Sequence, residues 1–140
     1  MARELVLDTR EWIEIKDTRG NVTGGFYWNP SDLDVAKRCE KVVEVFENLH
    51  VDENAGDDEL YKVSDEIKKQ FEYLLNTDVS ALFQINPLSP RPDGTLYAEY
   101  LLDVITTFIE TEMDVRIKHT SARIKKYTDK YKKWAPMTCL

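Results

Sequence analysis

Val35, Cys39, Val42, Val43, Phe46 and Leu49 follow one another at steps of three and four residues. That spacing places all six side chains on one stripe of a helix with 3.6 residues per turn. Leu60, Val63, Ile67, Phe71, Leu74 and Leu75 repeat the pattern, and so do Tyr97, Leu101, Val104, Ile105, Phe108, Ile109 and Met113. A helix apolar along one side only is stable when that side is covered. Three such stripes in one chain therefore predict helices packed on one another.

The segments between the stripes read as breaks. Residues 52–58, "DENAGDD", are acidic and contain Gly56, which predicts a loop. Residues 86–94, "NPLSPRPDG", hold three prolines and a glycine, too many for a helix or a central strand. They predict a rigid surface loop. "DVSALFQI" predicts one short helical turn capped by Asp78. Ser31 is the expected N-cap of the first helix, with Asp32 and Asp34 in its first turn, where the helix dipole favours acids. The last stripe weakens after Met113 and resumes as Ile117, Ile124, Tyr127 and Tyr131, which predicts a long final helix bent near residues 119–121.

The first 28 residues follow a different period. In "EWIEIK", Ile13 and Ile15 face one way, and Trp12, Glu14 and Lys16 the other, which is the two-residue repeat of a strand. "TRGN" supplies a turn and "VTGGFYW" a return strand rich in β-branched and aromatic residues. A β-hairpin over about residues 5–28 is expected, with "ELVL" as a third short strand. The fold class is therefore mainly α: an N-terminal β-hairpin followed by a three-to-four-helix bundle with a long, basic C-terminal helix. At 140 residues one domain suffices, residues 1–134, with a flexible tail over 135–140. No metal or disulfide is needed to hold a core of that size.

Charge is divided unevenly along the chain. Residues 116–134 hold eight basic side chains and one acidic one, a segment charge of +7 in a chain of net charge -7. The rest therefore carries -14. Arg116, Lys118, Arg123, Lys125, Lys126, Lys130, Lys132 and Lys133 form a candidate partner-binding arm. One reading is a solvated helix end, another a dock for an acidic protein. A third is a nucleic-acid contact with Tyr127, Tyr131 and Trp134 stacking on bases. The acidic body disfavours nucleic acid. The aromatics Trp12, Phe26, Tyr27 and Trp28 crowd one small sheet; core packing against the helices is the first reading, and a partner contact through Trp12, Phe26 and Trp28 is the alternative.

No catalytic or metal signature accompanies these surfaces. His50 and His119 lie far apart and outside any ligand spacing. The acidic loop lacks the alternating ligands of a calcium loop. "GNVTGG" is not a phosphate-binding glycine pattern. Cys39 lies on an apolar stripe, where a buried inert thiol is expected, and Cys139 lies in the tail. Two such cysteines predict no disulfide framework and a reducing compartment. No signal peptide is evident at the start, and no apolar run approaches the ~20 residues of a membrane span. The expectation is an intracellular protein without cofactors and without enzymatic activity.

The order of parts resembles small tail-assembly proteins of long-tailed phages and prophages of Gram-positive bacteria. The resemblance is carried by the hairpin, the helices "SDLDVAKRCEKVVEVFENL" and "VSDEIKKQFEYLL", and the turn "NPLSPRPDG". The helix "LYAEYLLDVITTFIE" and the basic, tyrosine-rich "ARIKKYTDKYKK" complete it. It spans about Trp12 to Lys133. It implies a tail assembly chaperone that binds the tape-measure protein, the tail-tube subunits or both, in the cytoplasm of the bacterial host, with homo-oligomers among its contacts. It also leaves room for a longer form made by translational frameshifting. The alternative is a structural virion component, a head–tail connector or tail-completion protein forming a ring. A small nucleic-acid-binding regulator is the third reading.

Overall fold

The structure is a computed structural model that describes residues 2–49 and 54–118. The chain runs through strands β1 (Glu11–Lys16) and β2 (Val22–Trp28), then helices α1 (Val35–Glu47), α2 (Asp57–Leu75) and α3 (Tyr97–Lys118). A single 3-10 turn, Ser80–Leu82, lies between α2 and α3. An N-terminal hairpin followed by three helices is the architecture the periodicities predict. The basic continuation of α3, the bend near residues 119–121, and the tail over 135–140 lie outside the described residues.

The strands form a two-stranded antiparallel sheet in which Trp12 pairs with Tyr27 and Ile13 with Phe26. Asp17 closes the turn: its carboxylate accepts from the backbone N–H of Arg19 at 2.9 Å and of Asn21 at 3.0 Å. Gly20 supplies the positive φ of +85° that this turn requires. The pairing slips between Ile15 and Lys16, leaving Thr23 as the extra residue on β2 while β1 stays regular. The expected third strand does not form. "ELVL" lies ahead of β1 with Leu5, Val6 and Leu7 more than four-fifths exposed.

One core joins the sheet to the helices. Phe26 and Trp28 from β2, Val35, Cys39 and Val42 from α1, and Ile67, Phe71 and Leu74 from α2 are all buried in it. Leu101, Ile105, Ile109 and Met113 complete it from α3. Aromatic edges lock the centre: Phe71 meets Phe46 at 5.8 Å and Phe83 at 5.5 Å, both near perpendicular. Ser64 and Thr106 are buried but satisfied. Ser64 Oγ donates to Asn86 Oδ1 at 3.3 Å and Thr106 Oγ1 to the Asp103 carbonyl at 3.2 Å.

Several local expectations need correction. Ser31 does not cap α1. The chain turns over residues 29–34, Asn29 Oδ1 accepts from Ser31 N–H, and the helix starts after Asp34 without a side-chain cap. Asp32 instead holds Arg38 at 2.7 Å. Val104, on the predicted core stripe of α3, is 45% exposed and lines an open groove instead of the core. Cys39 is buried but disulfide-bonded, not a free inert thiol. The chain's other cysteine, Cys139, lies outside the described residues.

The proline loop is built as a clamp on the start of α3. Pro87 is fully buried. Pro90 bridges to Leu96, and the main-chain N–H groups of Tyr97 and Ala98 donate back to Ser89 and Pro87. Gly94, at φ +90°, makes the reversal. Arg91 stacks its guanidinium 3.9 Å from the centre of the Tyr100 ring. Glu99 Oε2 accepts from Leu96 N–H at 3.0 Å, satisfying one of the free donors ahead of the helix.

Candidate interaction surfaces

Strand alternation sends Ile13, Ile15, Phe26 and Trp28 inward and Trp12, Glu14 and Tyr27 outward. Trp12 and Tyr27 face each other across the strands with ring centroids 4.9 Å apart and planes at 64°, the edge-to-face arrangement aromatic pairs favour. The Arg10 guanidinium lies 5.4 Å from the Tyr27 centroid. Both rings remain 51% exposed. Gly25 makes the arrangement possible. A Cβ there would sit 2.3 Å from Trp12 Cζ2, so the indole lies flat over a strand position that must lack a side chain.

The hairpin thus divides the candidates that the sequence groups together. Trp12 lies on the open face. Phe26 and Trp28, 4% and 1% exposed, are core residues, and Trp28 packs on Phe108 with centroids 5.5 Å apart. Neither can touch a partner while the core is closed, so for these two the core-packing reading holds and the contact reading is corrected. Tyr27, one of the crowded hairpin aromatics, and Arg10, absent from the candidates, stand beside Trp12. The signal for Tyr27 was present: in "FYW" the middle ring must face opposite to its neighbours.

The basic segment is represented by its first members. Arg116 on α3 is half-buried and ion-paired at the surface, with Nη1 2.8 Å from Glu112 and Nη2 2.9 Å from Glu11 on β1. Its charge ties the last described turns of α3 to the hairpin. Lys118 ends the described helix. Arg123, Lys125, Lys126, Lys130, Lys132 and Lys133 lie outside the described residues, as do His50 and His119.

A groove of about 510 Å³ opens between the hairpin and α3. Its walls are largely apolar: Ile13 and Ile15 on one side, Val104, Ile105 and Phe108 on the other, with Ile85 at one end. Ile85 is 51% exposed. A smaller cavity of about 220 Å³ lies where α1, α2 and the proline loop meet, lined by Phe46, Leu49, Ile67, Leu88 and Leu96. Tyr97 borders the larger groove and donates its hydroxyl to the Leu82 carbonyl. Burial, with the neighbouring Tyr100, holds the Tyr97 hydroxyl above the ordinary tyrosine value.

The perturbed carboxylates lie at turns. Asp78 and Asp93 are held below the ordinary value, in each case first by the hydroxyl and then by the backbone N–H of the residue two ahead, Ser80 and Thr95. These bonds are structural: each carboxylate fixes a local reversal. Among the described residues no three His, Cys, Asp or Glu side chains gather as a metal site would require, and no helix is long and apolar enough to cross a membrane. No protein-family model, no curated protein and no solved structure matches this chain.

Proposed function

We propose that this protein works by holding other polypeptides rather than by covalent chemistry, as a phage tail assembly chaperone that binds the tape-measure protein or tail-tube subunits. The observation that carries the reading is the outer face of the hairpin. Trp12, Tyr27 and Arg10 are the residue types that dominate binding energy at protein interfaces, and here they adjoin one another in the open. An amphipathic helix laid across this face would set its apolar side chains on the two rings and its carboxylates near Arg10. The resemblance to tail-assembly proteins supplies the partner, since a tape-measure protein is long and helical in that family.

Co-expression with a tape-measure segment tests the reading. Co-purification and a rise in the segment's solubility are expected, and both are lost in Trp12→Ala/Tyr27→Ala. No association with either tail component, or association unchanged in that double variant, overturns it. Recovery of the chain from purified particles in ring stoichiometry would favour the structural virion component instead.

A further inference from the structure

The groove beside α3 runs beneath both strands, touching Thr23 and Phe26 of β2, and reaches the unpaired edge of β1. Ile13, Glu14, Ile15, Lys16 and Asp17 all border it, although consecutive strand side chains point to opposite faces. Five successive residues can border one groove where it reaches the backbone edge of their strand. The other strand is partly covered, since Gln84 Nε2 donates to the Thr23 carbonyl at 3.5 Å and Gly24 packs on Ala81. Among the described residues no hydrogen bond reaches the open side of β1, whose N–H and C=O groups lie above an apolar floor. An open edge of this kind is a template for one more strand.

Two mismatches between sequence and structure have the same remedy. Val104 belongs to the apolar stripe of α3 but is uncovered. Leu5, Val6 and Leu7 read as a strand but touch almost nothing. A strand of residues 3–8 laid along β1 would put Leu5 and Leu7 over the groove and cover Val104.

We infer that the groove is filled by residues 3–8 of a second copy of this chain, paired antiparallel to β1 with Leu5 opposite Ile15 and Leu7 opposite Ile13. Charge selects this register. It sets Glu4 opposite Lys16 and Arg3 opposite Asp17. The chain's own segment cannot adopt it, because Thr9 would have to pair with Glu11 across a one-residue loop. A two-residue loop over 9–10 would turn Leu5 and Leu7 to the outer face, and the nearest register of the same chain that keeps them inward turns over residues 8–10, places Glu4 opposite Glu14 and loses Leu7 to the strand end at Glu11. Pairing between copies is two-fold symmetric about Arg10, so reciprocal exchange closes a dimer instead of starting a fibre. The two Arg10 side chains then face one another, an unfavourable contact at the axis. This inference stands on the groove and the strand edge, independent of the tail-assembly reading.

Sedimentation equilibrium of the full chain tests it, since exchange predicts a concentration-dependent dimer. Leu5→Asp/Leu7→Asp should weaken the dimer by more than about a hundredfold. Both leucines are exposed, so the melting temperature of the monomer should not move. Glu4→Lys and Lys16→Glu should each weaken self-association by about two- to fivefold per mismatched pair. A mixture of those two variants should dimerise as the unmodified chain does, because each then meets its complement on the other copy. Hydrogen exchange should show the amides of residues 4–7 protected in the dimer. A chain monomeric up to near-millimolar concentration overturns the inference. So does a dimer indifferent to the leucine changes, a mixture no tighter than its components, or protection of residues 4–7 in a monomer.

Discussion

Arg38, near the start of α1, donates from Nε to the main-chain carbonyl of Leu74, 36 residues later at the end of α2, at 3.1 Å. Its Nη2 holds Asp32 at 2.7 Å. Asn76 ends α2 in the left-handed conformation, φ 52°, and the carbonyls of that last turn need partners from elsewhere. One planar guanidinium thus serves a helix end and a loop carboxylate together.

Arg38→Met should therefore lower stability by about 1–3 kcal/mol, because it leaves a partly buried carbonyl and a carboxylate without their donor. Arg38→Lys should recover only part of the loss, since one ammonium lacks the fork that reaches both acceptors. Urea unfolding of the three proteins measures both effects.

Gly25→Ala places a methyl group against the Trp12 ring and, at 2.8 Å, against the Ile13 carbonyl. The expected destabilisation is about 1–3 kcal/mol. In a Trp12→Ala background it should shrink without vanishing, as the backbone contact remains. A double-mutant cycle read by thermal melts reports the coupling.

The two faces of the hairpin should separate by phenotype. Trp12→Ala and Tyr27→Ala should leave melting nearly unchanged while removing partner capture. Phe26→Ala should cost about 3–5 kcal/mol. Melting curves beside pull-downs distinguish the two groups, and a melting loss from Trp12→Ala as large as that from Phe26→Ala would contradict the assignment.

Trp28 is buried with its Nε1–H unbonded. Trp28→Phe removes a donor that folding strips of water, a deficit of about 1–3 kcal/mol, while it gives up some packing on Phe108. The net change should be far smaller than the roughly 3–5 kcal/mol expected of Trp28→Ala. Equilibrium denaturation of both variants tests the difference.

Asp17 illustrates the pH dependence. Backbone donation from Asn21, the largest influence, and then from Arg19 holds its carboxyl below the ordinary value of 3.8. A carboxyl lowered on folding contributes stability above its unfolded value and loses it as pH falls through the folded one. Asp8, Asp78 and Asp93 have the same sign. Melting temperature should be flat near neutrality and decline below about pH 4. Asp17→Asn, which cannot titrate there, should make that decline shallower.

The helices and the hairpin were legible because their periods differ and each stripe is long. What failed was local and depended on neighbours distant in sequence. Ser31 is a good cap by type, yet Asn29 and Asp32 build a competing turn around it. Val104 has the right spacing for the core, but spacing cannot say whether a neighbour arrives to cover it. "ELVL" has strand composition, and composition does not name the strand it pairs with. Phe26 and Trp28 were grouped with Trp12 as candidates because all three are large rings. The strand period separates them, and only the packing of α3 shows which side is covered. For the surfaces, sequence indicated Trp12 and missed Arg10, whose place over Tyr27 depends on how the chain enters β1.

The ion pair between Glu11 and Arg116 spans 105 residues, and Phe108 covers Trp28 from 80 residues further along the chain. A two-stranded hairpin is marginal by itself in water. On a ribosome, the first 28 residues can meet α1, α2 and residues 81–84 earlier, but their cover is complete only when nearly the whole of α3 has emerged. A stop codon before α3 would strip the opening of the protein of its last cover, the Phe108 ring and the Arg116 ion pair.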